Sequence, residues 1–396
     1  MPRLALELAD IVRRHGAAYR QTHCLPLEHL RPLRAIEVCR TAELGGHVEQ
    51  CAQCDHTRIA YNSCRNRHCP KCQSLDRAKW LEKRQSELLP VEYFHVVFTL
   101  PEALAAIALQ NKKAVYGILF RAAAETLLTI AGDRQHLGAE IGFFSILHTW
   151  GQNLLHHPHL HCVVPGGGIS AEGEWAACRA GFFLPVRVLS RLFRRLFLEM
   201  LAKAFQCRQL QFHGEWAYLQ DHEAFTRYLA PLGTIEWVVY AKPPFGGPRQ
   251  VLEYLGRYTH RIAISNERLV AQDDSSVSFR WKDYRHDNRQ RVMKLAADEF
   301  LRRFLLHALP PGFQRIRHYG LFSNRHRKQS LERCRRLLAT PVSDLLPRPA
   351  EDYRDLYQAL TAVSLRHCPQ CRTGLMQVIE VLPPRKYRPA AAVDSS

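Results

Sequence analysis

Long apolar runs are missing from this 396-residue chain. The stretch from Val115 to Ile130 is broken by Arg121 and Glu125, well short of the ~20 apolar residues that a membrane span needs, so none is expected. The amino-terminal MPRLALELADIVRRHG lacks the apolar segment and small-residue cleavage site of a secretory signal, and a cytoplasmic chain is the expectation. There is no internal repeat and no long low-complexity tract. A G-x-x-x-x-G-K-[ST] phosphate loop is also absent. Acidic residues are scarce as well: 37 Asp and Glu face 55 Lys and Arg, a formal net charge of +18. Such an excess calls for a polyanion, because each phosphate neutralised by Lys or Arg releases condensed counterions. Nucleic acid is the first candidate partner and an acidic membrane surface the second.

What is present reads as α+β. YFHVVFTLP (93–101) has the composition of a buried strand stopped by Pro101, and a long helical stretch follows to about Gln135. FFSILHTW (143–150) and HLHCVVPGG (159–167), joined by a short connection, suggest an antiparallel pair. Residues 187–206 suit a basic amphipathic helix, IEWVVYAKPP (235–244) another strand, and RQVLEYLGRYTHR a helix behind Pro248. The expectation is an antiparallel sheet flanked by helices. Five segments are expected along the chain: a helical 1–38, a cysteine-dense 39–76, a core domain over 77–266 ending in the tyrosine helix, a basic region over 267–345, and a 346–396 segment with a terminal C-x-x-C and a disordered tail.

Seven of the 13 cysteines lie from Cys24 to Cys72, mixed with histidines, and in a reducing compartment that density favours metal over disulfides. Cys51 with Cys54 and Cys69 with Cys72 form two C-x-x-C turns, each able to present two thiolates to one tetrahedral zinc. Cys39, His47, Cys64 and His68 are the candidates for a second ion in the same module. Near the carboxyl end Cys368 and Cys371 form half a site, with Cys334 and His326 as the nearest upstream partners; unpaired surface thiols are the plainer alternative.

In HPHLHCVVPGGG, His159 and His161 are alternate residues of a strand, so their imidazoles share a face while Leu160 points the other way. Two imidazoles so fixed can hold one divalent ion. Antiparallel pairing with 143–150 would bring His148 beside both as a third ligand, with Gln152 and His157 as alternatives. The glycines at 166–168 allow a close backbone approach, by substrate or simply in a turn. In EYLGRYTHR, Tyr254 and Tyr258 lie one helical turn apart. They belong to an apolar stripe with Val251, Leu255 and Ile262, for which packing is the ordinary explanation. A phenol with a pKa near ~10 needs activation, or stabilisation of the charge it attacks, to act as a nucleophile.

Taken together, LHTWGQNLLHHPHLHCVVPGGG, YLGRY, the amino-terminal CAQC…SCRNRHCPKC, RIRHYGLFSNRHR and the terminal HCPQC resemble the two-tyrosine transposases of the insertion-sequence-91 family, which belong to the HUH endonucleases. The resemblance extends over nearly the whole chain. It implies an HUH core with a ferredoxin- or palm-like sheet and rolling-circle transposition through single-stranded DNA. Tyr254 and Tyr258 would be the nucleophiles, and His159, His161 and His148 would hold Mg²⁺ or Mn²⁺, imidazole favouring Mn²⁺. Structural zinc would sit in the amino-terminal module. The expected partners are single strands or hairpin ends of a mobile element and its target DNA, in a bacterial, nucleoid-associated protein. Arg65, Arg67, Arg315, Arg317, His318 and Arg325 are the candidate DNA contacts, with Tyr319 and Phe322 stacking on bases. A rolling-circle replication initiator, or a zinc-dependent DNA-binding regulator without catalysis, are the alternatives.

Overall fold

The computed structural model describes residues 6–85, 87–245, 250–251, 263–283, 289–338 and 353–385. Its chain forms two compact units: residues 83–259 with 309–350, and residues 1–82 with 260–308 and 351–396. The basic stretch 267–345, expected as one region, is thereby divided at about residue 308.

The first of these units is built on a five-stranded antiparallel sheet. Its strands are β1 (Tyr93–Thr99), β2 (Gly142–Trp150), β3 (His156–Pro165), β4 (Val239–Phe245) and β5 (Ile316–Gly320), ordered β5-β2-β3-β1-β4. Two-residue periodicity divides it cleanly. Phe94, Val96 and Phe98 of β1, Phe143 and Leu147 of β2, and Leu160, Cys162 and Val164 of β3 all enter one buried core. Helices α1 (Lys112–Gly132) and α2 (Val186–Gln206) close that core from above. In α2, Leu189, Phe193, Leu196, Phe197 and Leu201 recur at helical spacing and are buried, while Arg191 and Arg195 stay exposed. Among the described residues α1 is the one helix with the length and apolarity to cross a membrane, and 67% of its most apolar window is buried in the protein. Arg121 and Glu125, which interrupt the apolar stretch in the sequence, lie on its exposed side.

The other sheet face, free of α1 and α2, receives the remaining half of the alternation: His95 and Val97 of β1, Ile146 and His148 of β2, His159 and His161 of β3. Beside β2 and β3 the chain adds a small sheet, Ala139–Glu140, Gly167–Ser170 and Trp175–Ala177. The glycines at 166–168, expected to allow a close approach by substrate or to make a turn, lie beside or within this small sheet. A Cβ on Gly168 would lie 2.3 Å from the Glu140 carbonyl oxygen, so the close approach is made by the protein's own backbone.

In the second unit, helices Leu8–Thr22 and Leu27–Glu37 precede a three-stranded sheet in which Gly46–Cys51 is central, flanked by Thr57–Tyr61 and by the far carboxyl-terminal strand Met376–Leu382. Helix Leu8–Thr22 also packs on Ala297–Leu306, which covers a separate antiparallel sheet of Leu269–Gln272, Ser276–Asp283 and Arg289–Ala296.

Candidate metal centres

Among the described residues, three groups of side chains bring one ligand atom each within 4.8 Å of the others: His148, His159 and His161; Cys39, Cys64, Cys69 and Cys72; and Cys51, Cys54, Cys368 and Cys371.

The histidine group is a direct product of strand register. His148 of β2 is paired with His159 of β3, Ile146 with His161, and equal parity puts all three imidazoles on the sheet face that α1 and α2 leave free. The ring centroids of His148 and His161 are 4.3 Å apart, those of His159 and His161 4.9 Å, and Trp150 stacks on His148 at 4.6 Å. His148 and His161 are buried, at 3% and 7% exposure, while His159 is half-buried at the mouth.

Outer hydrogen bonds orient two of the rings. Nδ1 of His159 lies 2.7 Å from the carbonyl oxygen of His157 and can only donate to it, which fixes Nε2 as the lone-pair nitrogen. Nδ1 of His161 lies 2.7 Å from Nε2 of His95, a fully buried residue of β1. If His161 is likewise to offer Nε2 to an ion, its Nδ1–H must donate to a neutral His95. Sequence reasoning missed His95. The one signal for it was a histidine in the strand YFHVVFTLP at the parity opposite Phe94, Val96 and Phe98. His157 does not belong to the imidazole group.

The cysteine groups differ from the pairing that spacing suggested. Cys69 and Cys72 join Cys39 and Cys64, whereas Cys51 and Cys54 join Cys368 and Cys371. His47 instead binds Glu49, Nε2 to Oε1 at 3.0 Å, and His68 is outside both groups. Cys334 and His326 belong to the other unit. There Cys334 is buried among Leu89, Ile169, Phe322 and Leu331, and burial pushes its thiol up to about 11.

In the first thiol group the sulfur separations are 3.5 Å for Cys64–Cys72, 3.6 Å for Cys39–Cys69 and 3.7 Å for Cys39–Cys72. A tetrahedron with Zn–S bonds of about 2.3 Å has edges of about 3.8 Å, so the sulfurs already stand near the spacing such an ion requires. Four thiolates this close repel one another. Hydrogen bonding to Cys64 and its neighbours holds the Cys39 thiol far below its ordinary range, while the reciprocal bonds to Cys39 hold Cys64 and Cys69 well above it. A divalent cation removes that conflict, so the donor set fits zinc.

The expected DNA contacts are scattered. Arg65 and Arg325 are exposed, and Arg67 and Arg315 are half-buried. Arg317 points into the helix-covered face, its guanidinium 4.3 Å from the Phe120 ring centroid and 5.1 Å from that of Phe313. His318 sits among Arg84, Phe144 and Arg327, where burial first and the two guanidiniums next push its pKa down to about 4. Tyr319 stacks on Phe143 and Phe322 is buried, so neither ring is presented to a base. Tyr254 and Tyr258 lie outside the described residues.

A family model described as "Putative transposase" matches residues 142–330, which hold the three histidines and both tyrosines, and one described as "Transposase zinc-binding domain" matches residues 11–100. The chain is thus a transposase carrying an amino-terminal zinc-binding domain. It is 64% identical over 97% of its length, and 99% of the relative's, to the putative transposase y4qJ of Sinorhizobium fredii (strain NBRC 101917 / NGR234). It is also 28% identical, over 86% of its length and 82% of the relative's, to the transposase for insertion sequence element IS801 of Pseudomonas savastanoi pv. phaseolicola. The chain belongs to the insertion-sequence-91 family of transposases. No solved structure matches it.

Proposed function

We propose that this transposase nicks and rejoins single-stranded DNA by transesterification, with Tyr254 and Tyr258 as nucleophiles, and so mobilises an insertion sequence by a rolling-circle route. The observation that carries the proposal is the convergence of three imidazoles on one rigid sheet face. Their chemistry suits one divalent ion, Mg²⁺ or Mn²⁺, and such an ion when bound supplies Lewis-acid polarisation of a phosphate. The chain's own residues supply the rest. His95 and the His157 carbonyl hold two of the rings at their Nδ1 atoms, leaving Nε2 to ligate. A tyrosine Oη attacks phosphorus, the Oη–P bond forms as the P–O3′ bond breaks, and the phenolic proton ends on the released 3′-hydroxyl. The 5′-phosphotyrosine conserves the phosphodiester energy, so no nucleotide is consumed. A second tyrosine lets one cut end be held while another strand is cut. In the zinc-binding domain, Cys39, Cys64, Cys69 and Cys72 would hold one structural ion, and the exposed Arg65 that follows Cys64 in the chain is a candidate phosphate contact.

The test is a covalent adduct. Incubated with Mn²⁺ and a labelled single-stranded oligonucleotide carrying the element's end, the full chain is expected to retain label through denaturation. EDTA should abolish the adduct, and the combined Tyr254→Phe, Tyr258→Phe variant should form none; an adduct surviving in that variant refutes the nucleophile assignment.

A further inference from the structure

We infer that the chain holds a second structural zinc ion, bound by Cys51 and Cys54 from the amino-terminal domain together with Cys368 and Cys371 from the carboxyl-terminal segment. The inference is independent of the strand-cleavage reading. The zinc-binding family match ends at residue 100, so the last two ligands lie far beyond it.

Three observations converge. The first is sulfur geometry: Cys51 and Cys371 are 3.7 Å apart, as are Cys54 and Cys368, close to the ~3.8 Å edge of a zinc tetrathiolate. Backbone amides aimed at those sulfurs are the second. The N–H of Gln53 donates to Cys51 Sγ at 3.4 Å, that of Gln370 to Cys368 Sγ at 3.4 Å, and that of Gly374 to Cys371 Sγ at 3.3 Å. Such donors favour the thiolate, the form that ligates metal.

The third is backbone conformation. Among the described residues seven non-glycine positions have positive φ, and four of them directly follow a clustered cysteine: Arg40, Asp55, Arg65 and Arg372. They are divided evenly, Arg40 and Arg65 at the first thiol group and Asp55 and Arg372 at the second. Left-handed backbone is unfavourable for the three arginines, less so for Asp55, and persists where a tight turn is held by something else. The two groups thus share one knuckle design. Gly374 completes the second: a Cβ there would stand 2.4 Å from Cys51 Sγ and 3.3 Å from Cys371 Sγ, so only glycine lets the two chain segments meet at the sulfurs. The strand that follows, Met376–Leu382, pairs with Gly46–Cys51, placing the ion at the root of an inter-segment sheet.

Two measurements on the zinc-loaded full chain test this. Metal analysis should return two zinc ions per chain, and the Cys368→Ser, Cys371→Ser double variant should return one. Alkylation of the unmutated protein with iodoacetamide, mapped by mass spectrometry, needs no variant to fold: Cys51, Cys54, Cys368 and Cys371 should be protected until a chelator is added, while the exposed Cys24 and Cys207 react at once. A single zinc in the unmutated chain, two retained in the double variant, or Cys368 and Cys371 reacting as fast as Cys24 would each overturn the proposal.

Discussion

At the scale of single residues, two of the clustered imidazoles are oriented by groups outside the cluster. His95 is the clearest, because it engages Nδ1 of His161 from a fully buried position. Outer hydrogen bonds of this type commonly set metal affinity by about 10–100-fold. His95→Phe is therefore expected to weaken Mn²⁺ binding by about that factor, read by electron paramagnetic resonance of free Mn²⁺. His95→Gln, whose amide oxygen can still accept, should recover most of it. Equal affinity in the Phe variant would contradict a positioning role. His95 was hard to see in the sequence because nothing local marks it: its partner is 66 positions away, across a strand pair. His148 was accessible, since a short hairpin fixes register and register fixes which side chains share a face.

Elements explain why the site is rigid. Strands β1, β2 and β3 are held from behind by α1 and α2, so the imidazoles project from a sheet whose other face is solid core. Phe193 of α2 is fully buried between the rings of Phe98 at 4.9 Å and Trp237 at 5.4 Å. Phe193→Ala is expected to cost about 3–5 kcal/mol of stability in chemical denaturation, the usual range for an emptied aromatic site; a loss under ~1 kcal/mol would mean that α2 is not anchored as described. Most of these elements were legible from periodicity and from stops such as Pro101. The basic stretch was less so. Its positive charge suggested one DNA-binding face, yet Arg317 and Tyr319 are turned inward by strand alternation, a consequence of β5 pairing with β2 that composition does not encode.

The whole molecule joins distant parts of its chain. Spacing marked the cysteines as candidate metal ligands but could not assign partners, because two C-x-x-C turns can close on each other or on any other pair that the fold delivers; here the carboxyl-terminal strand brings Cys368 and Cys371 to Cys51 and Cys54. The thiol groups lie in one unit and the imidazoles in the other. That separation gives the most direct test of the central claim. Cleavage of a labelled single-stranded oligonucleotide bearing the element's end should be measured in Mn²⁺ for the unmutated chain, for His159→Ala and for His161→Ala, with zinc content determined in each. The account predicts unchanged zinc and a cleavage rate at least about 100-fold lower in both variants, equivalent to roughly 2.7 kcal/mol of lost transition-state stabilisation. Cleavage at the unmutated rate by either variant would contradict it.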